Sequence, residues 1–174
     1  MLFGVVLCAC VKQPKEQHRF VKQVLLTFED TLAIGQKTQG DAASGSYFVH
    51  MDKAAQFGAG YFFKIPDSLV NKHIRVIIEC KARKKHSGSG QTIVVSLQPD
   101  NTIVNLWTAL DMDVLINKKN EWVTVSDSTQ ITPEQNNKPG NEIRVFGFNS
   151  NQQSYLDYDD LKITYKEITY LEEK

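Results

Sequence analysis

Tyr155-Leu-Asp-Tyr-Asp-Asp-Leu-Lys-Ile163, continuing through Thr164 and Tyr165, decides how the rest of the chain is read. As a β-strand, its side chains alternate between two faces. One face would hold Tyr155, Asp157, Asp159, Leu161, Ile163 and Tyr165, and the other Leu156, Tyr158, Asp160, Lys162 and Thr164. An apolar face that runs into aspartates is in tension with burial, because a buried carboxylate is costly unless it is paired or bound to a cation. The stretch therefore raises a β fold and a metal site together.

Working outward, the same alternation recurs. His73-Ile-Arg-Val-Ile-Ile-Glu-Cys-Lys-Ala82 sets Ile74, Val76, Ile78, Cys80 and Ala82 on one face and Arg75, Ile77, Glu79 and Lys81 on the other. That pattern predicts a sheet with one buried and one wetter face. Further strands are predicted over Gln23–Asp30, Ser46–Met51, Ala59–Ile65, Thr92–Leu97, Thr102–Thr108, Glu121–Ser126 and Glu142–Phe148. Gly35–Gly45, rich in Gly, Ser, Gln and Asp, reads as a long loop. Many short strands with no amphipathic helix predict an all-β, antiparallel β-sandwich.

The 174 residues fit one domain, and 20 Lys and Arg balance 20 Asp and Glu. A net charge of zero argues against nucleic acid as a partner. The basic run Lys81–His86 reads as a solvated strand end. Cys80 falls on an apolar strand face and reads as a small buried hydrophobe. Cys8 and Cys10 lie in the short apolar start Met1–Val11, which is too short to cross a membrane. Leu7-Cys8-Ala9-Cys10 resembles the end of a bacterial lipoprotein signal, with small residues before the cut and Cys10 as the lipidated residue. Residues 1–22 would then be signal remnant and polar tether, 23–170 the domain and 171–174 a tail.

An aromatic followed by two aspartates and an alternating apolar pair, as in Tyr158-Asp159-Asp160-Leu161-Lys162-Ile163, resembles the closing strand of calcium-containing β-jelly-roll carbohydrate-binding modules of the galactose-binding-like group. Phe28-Glu29 is similar to the pair that opens many of them. Trp122, following the charged turn Asn117–Asn120, is a further likeness. The resemblance spans Val24–Tyr165. It implies a jelly roll whose first and last strands lie side by side, with Glu29 and Asp159 as ligands of a structural calcium.

The resemblance also implies a poly- or oligosaccharide partner. Pyranose C–H faces stack on aromatic rings and hydroxyls need planar polar groups, so a wet sheet face carrying both is the requirement. Trp107 with Asn105 on its face, Arg75 on a neighbouring strip, and Tyr61 are the expected contacts. The expectation is a noncatalytic, monomeric domain of the bacterial cell envelope, held at the membrane only through its lipid anchor. The alternative is a jelly-roll domain for protein interaction or adhesion.

Catalysis finds little footing. His18, His50, His73 and His86 fall in separate segments, without a His-Glu-x-x-His spacing or a Gly-x-Ser-x-Gly elbow. Asp111 with Asp113, and Asp157 with Asp159, could in principle form a glycosidase pair. Such spacings are common on solvated strands. Tyr61-Phe-Phe-Lys64 only partly echoes a polysaccharide-lyase motif.

Overall fold

The computed structural model describes residues 15–84, 90–98, 104–150 and 155–171. Cys10, with the expected lipidation motif, lies outside the described residues. In chain order the strands are β1 (Lys15–Leu26), β2 (Thr38–Gln39), β3 (Tyr47–Met51), β4 (Phe57–Lys64), β5 (His73–Lys84), β6 (Gln91–Gln98), β7 (Leu106–Asp111), β8 (Val123–Ile131), β9 (Glu142–Asn149) and β10 (Leu156–Leu171). One short helix, α1 (Met112–Leu115), follows β7, and its first turn is capped by Asp111, which accepts from the Asp113 amide at 2.8 Å.

The strands form an antiparallel β-sandwich of jelly-roll type. The six-stranded sheet runs β2-β3-β10-β5-β8, with β1 also paired to β10, and the four-stranded sheet runs β4-β9-β6-β7. The closing strand is the seam of the larger sheet. β5 runs along one edge of β10, while β3 takes the first part of the other edge and β1 the remainder. First and last strands are thus neighbours, as the resemblance implied. Between the sheets, Leu26, Ile78, Ile163 and Tyr165 meet Phe63, Ile93, Val95 and Val145 in one core. Each fully buried side chain of this size contributes about 1.5–3 kcal/mol.

β5 keeps the predicted alternation: Ile74, Val76, Ile78, Cys80 and Ala82 are buried and Arg75, Ile77, Glu79 and Lys81 lie partly open. β10 does not. The register against β5 shifts between Asp159 and Lys162, and Asp160 takes φ +49°. This bulge inverts the alternation midway. Before it, Leu156 and Tyr158 face the core; after it, Leu161, Ile163 and Tyr165 do. Asp157 and Asp159 therefore share the outer face, and the expected face joining Asp159 to Leu161 and Ile163 does not exist.

The domain also begins earlier than position 23. Lys15–Arg19, expected to be tether, are strand residues paired with Glu167–Leu171. Their side chains find polar partners on the outer face: Arg19 Nε donates to Glu167 at 2.7 Å, and Glu16 takes both Arg75 nitrogens at 2.9 and 3.1 Å. An edge strand held this way needs no apolar alternation, which is why composition hid it.

Candidate functional site

The four-stranded sheet turns one set of side chains to the core and the alternate set outward. In β9, Ile143 and Val145 are fully buried against the core, while Glu142, Arg144, Phe146 and Phe148 project from the opposite face. The ladders place these in rows. Phe62 stands opposite Arg144, Arg144 opposite Ser96, and Ser96 opposite Trp107. The adjacent row is Gly60, Phe146, Val94 and Ala109.

Small side chains at Gly60, Ser96 and Ala109 keep parts of this face low while aromatic rings rise from it. Trp107 meets Phe146 and Phe148 edge-on, at 5.8 and 5.4 Å between centroids. Phe57 meets the same two rings at 6.0 and 5.4 Å. Along the β4 side, Ile34 exchanges two backbone hydrogen bonds with Gly60, at 2.8 and 2.9 Å, which raises Ile34, Gly35 and Gln36 as a wall. A Cβ at Gly60 would lie 2.8 Å from the Phe146 Cα, so only glycine fits beneath that crossing.

The result is a trough of about 550 Å³ with Phe57, Phe62, Trp107 and Phe146 among its lining. Trp107 is 46% exposed and Phe57 57%. Aromatic rings this open, gathered in one concavity, are not accounted for by packing. The polar groups are few: Gln36, Gln98 and Arg144. The Arg144 guanidinium lies 4.9 Å over the Phe62 ring, and its Nε donates to Glu142 at 2.7 Å. Its charge is thus matched inside the trough.

Of the four residues expected to touch sugar, the trough contains Trp107. Asn105 lies just before β7, its amide bonded to the Leu97 carbonyl at 2.8 Å where the ladder ends. Arg75 is on the outer face of the other sheet, engaged with Glu16 and with Gln130 at 3.2 Å. Tyr61 packs against the core, and its hydroxyl accepts from Lys22 Nζ at 2.6 Å. Neither meets Trp107: Arg75 belongs to the other sheet, and Tyr61 points to the inner face of the same one, a difference that strand alternation alone does not tell. Phe57, Phe62, Phe146 and Arg144 were missed. The signal was present in Arg144-Val-Phe146-Gly-Phe148, where Arg and two Phe alternate against the inward Ile143 and Val145.

The expected calcium pair closes on one loop, Glu29 from the bend after β1 and Asp159 from β10. Glu29 Oε1 accepts the amides of Ser46 and Tyr47 at 2.7 and 2.8 Å. Asp159 Oδ2 accepts those of Ala43 and Ser44, both at 3.0 Å, and its Oδ1 accepts the Asp160 amide at 2.7 Å. Asp160 Oδ1 takes the Ser44 hydroxyl at 2.6 Å. Burial pushes the Asp159 carboxyl above its ordinary value, against the lowering effect of the amides. Gly45 turns this loop at φ +64°, and a Cβ there would run into the Glu29 carboxylate. A calcium ion needs six to eight oxygens. Here three of the four oxygens of Glu29 and Asp159 face amide hydrogens, a donor set that suits a hydrogen-bonded latch. Among the described residues, no group of three or more His, Cys, Asp and Glu stands together as metal ligands.

The aspartate pairs weighed for catalysis are committed elsewhere. Asp157 is buried, bonded to Arg83 at 2.9 and 3.1 Å and to His50 Nδ1 at 2.5 Å. Arg83 reaches on to Asp41 at 2.5 Å and lies 4.4 Å over the Trp122 ring. Asp113 holds Lys84 and the Gly90 amide.

No family model and no curated protein matches the sequence. Among solved structures, the chain shows low-identity similarity to several. The C-terminal family 22 carbohydrate-binding module of Clostridium thermocellum Xyn10B is 12% identical, with 88% of this chain and 96% of that one covered and a TM-score of 0.44. The CBM22-2 xylan-binding domain of Paenibacillus barcinonensis Xyn10C is 13% identical, covering 82% and 98%, at 0.43. An apo-form cyclase from Fischerella sp. is 13% identical, covering 90% of each chain, at 0.42. At scores this low, none of these likenesses assigns a ligand.

Proposed function

We propose that this chain is a noncatalytic domain that binds a poly- or oligosaccharide in the aromatic trough over β4, β9, β6 and β7. The observation behind this reading is the gathering of Trp107, Phe57, Phe62 and Phe146 in one open concavity with few polar groups. Ring faces take the C–H faces of a pyranose, and Gln36, Gln98 and Arg144 supply planar donors and acceptors for its hydroxyls. In the alternative, an interaction or adhesion domain, the same trough receives apolar side chains of a protein.

The test is affinity electrophoresis of the full chain through gels containing xylan, mixed-linkage glucan or galactan, with pectate as an acidic comparison, followed by a glycan array. Retardation by at least one neutral polysaccharide, lost in Trp107→Ala and kept in Trp122→Phe, is the expected result. No retardation and no bound glycan would overturn the reading in favour of a protein partner.

Calcium is a separate proposal, resting on the resemblance: a structural ion held by Glu29 and Asp159, which reach the same 43–47 loop but there accept its amides, hydrogen bonds that the ion would have to replace. Chelator should then lower the melting temperature of the protein and leave Asp159→Ala unaffected; an identical melt with calcium and chelator would leave the amide latch as the whole device. A lipid-anchored place in a bacterial cell envelope rests on Leu7-Cys8-Ala9-Cys10 alone, and is tested by labelling Cys10 with fatty acid.

A further inference from the structure

Beyond the aromatic trough, the end of the β6–β7 pair carries a concavity of different character. The β6–β7 ladder ends where Leu97 pairs with Leu106, and the Asn105 amide also bonds the Leu97 carbonyl, one residue out of the ladder's register, so Asn105 closes the end of the pair. Gln98 in turn faces Glu142 and lines the trough. The pair Glu142 and Gln98 therefore lies beside the row Arg144, Ser96, Trp107, two residues or about 7 Å along the strands. Asn105 also lines a second concavity, of about 300 Å³, with Glu134, Gln135, Asn137 and Lys138. Gln98 of the trough and Asn105 of the second pocket flank the last pair of this ladder, Leu97 and Leu106, so the two concavities meet at one end of the β6–β7 pair.

The second pocket is held firmly from below. Asn136 is fully buried, donates to the Leu69 carbonyl at 2.7 Å, and takes the Asn71 amide on its own carbonyl at 2.8 Å. The Gln135 side chain accepts the Thr132 amide at 2.9 Å, and its carbonyl accepts from Asn105 Nδ2 at 3.4 Å. This fixes the 132–136 turn against β7, so the carboxamides beside it are presented on a rigid support. Unlike the trough, this pocket has no aromatic residue in its lining among the described residues.

We propose that the 134–138 pocket is a distal subsite for the same ligand, and that the ligand is a linear, uncharged glycan chain lying along the face from Phe57 and Trp107, across Gln98 and Asn105, to Asn137. The proposal rests on the trough being a glycan site. Two features select the ligand. The succession of aromatic trough and amide pocket suits a chain that stacks at one end and hydrogen-bonds at the other. The charges along the path also alternate: Lys64 and Arg144 flank Glu142, and Lys138 shares the pocket with Glu134. No one-signed field favours a uronate or sulfated chain.

The test is titration calorimetry of the full chain with β-1,4-linked xylose, glucose and galactose oligomers of three and six units, and with hexagalacturonate. Hexamer binding should exceed trimer binding by about tenfold, as expected for two or so added hydrogen bonds. Asn105→Ala and Asn137→Ala, with melting curves unchanged, should bring the hexamer down to trimer strength and leave the trimer alone. Trp107→Ala should weaken both lengths. Equal trimer and hexamer affinities, wild-type hexamer binding in both asparagine variants, or preference for hexagalacturonate would each overturn the subsite while the trough reading stands. Absence of binding by every oligomer, or indifference to Trp107→Ala, would overturn both.

Discussion

Tyr158 and Leu161 are both buried in the same core, although three residues separate them on one strand and plain alternation would set them on opposite faces. The bulge at Asp160 makes this compatible, and it also sends Asp157 and Asp159 outward together, where Arg83, His50 and the 43–44 amides receive them. One positive φ thus serves the core and the loop at once.

Asp160 should accordingly tolerate little. At φ +49°, aspartate and asparagine are accommodated and a β-branched residue is strained. Asp160→Val should lower stability by about 1–3 kcal/mol in urea unfolding, and Asp160→Asn by less than about 1 kcal/mol.

Tyr158 carries a buried hydroxyl that donates to the Ala59 carbonyl and accepts the Gly147 amide at 3.2 Å, tying the two sheets together. Burial pushes its phenol well above the ordinary range. Tyr158→Phe removes a partner from both groups and should destabilise by about 1–3 kcal/mol. Glycan affinity should be unchanged, since the hydroxyl points inward.

Asp159 and Glu16 should titrate in opposite senses. Burial raises the Asp159 carboxyl above its ordinary 3.8, so its contribution to stability is complete below that value and declines as pH rises through its folded-state value. For Glu16, the hydrogen bond from Arg75 lowers the carboxyl below its ordinary 4.5. Its contribution is present above that value and is lost as pH falls through the folded-state value. Side-chain carboxyl shifts followed by NMR should show the Asp159 midpoint above 3.8 and the Glu16 midpoint below 4.5. Asp159→Asn should flatten the first trend and Glu16→Gln the second.

The two tryptophans should report differently on ligand. Trp107 is 46% exposed in the trough, whereas Trp122 lies beneath Arg83 with its indole nitrogen buried. A bound glycan should change the fluorescence of the Trp122→Phe protein and leave that of Trp107→Phe as it was. The reverse pattern would move the site to the other sheet.

Strong alternation made β5 legible from its residues, and the sandwich with it. The bulge in β10 was not legible, because Asp160 holds its unusual backbone through Ser44, more than a hundred positions away. The first part of β1, before Gln23, escaped notice because Arg19 and Glu16 are satisfied by Glu167 and Arg75 rather than by apolar burial. Trp107 was recognisable as an open aromatic. Arg75 and Tyr61 could not be separated from it, since each sits on a genuine strand but faces a different surface. Phe146 was not singled out, since phenylalanine is usually core; its alternation with the buried Ile143 and Val145 sets it on the outward face.

Lys15 stands directly across the ladder from Leu171. Polypeptide joined before β1 and polypeptide joined after β10 would therefore depart from one corner of the six-stranded sheet. The aromatic trough lies on the outer face of the opposite sheet. Whatever is fused at either end of this ladder thus starts from the layer of the sandwich that does not carry the trough.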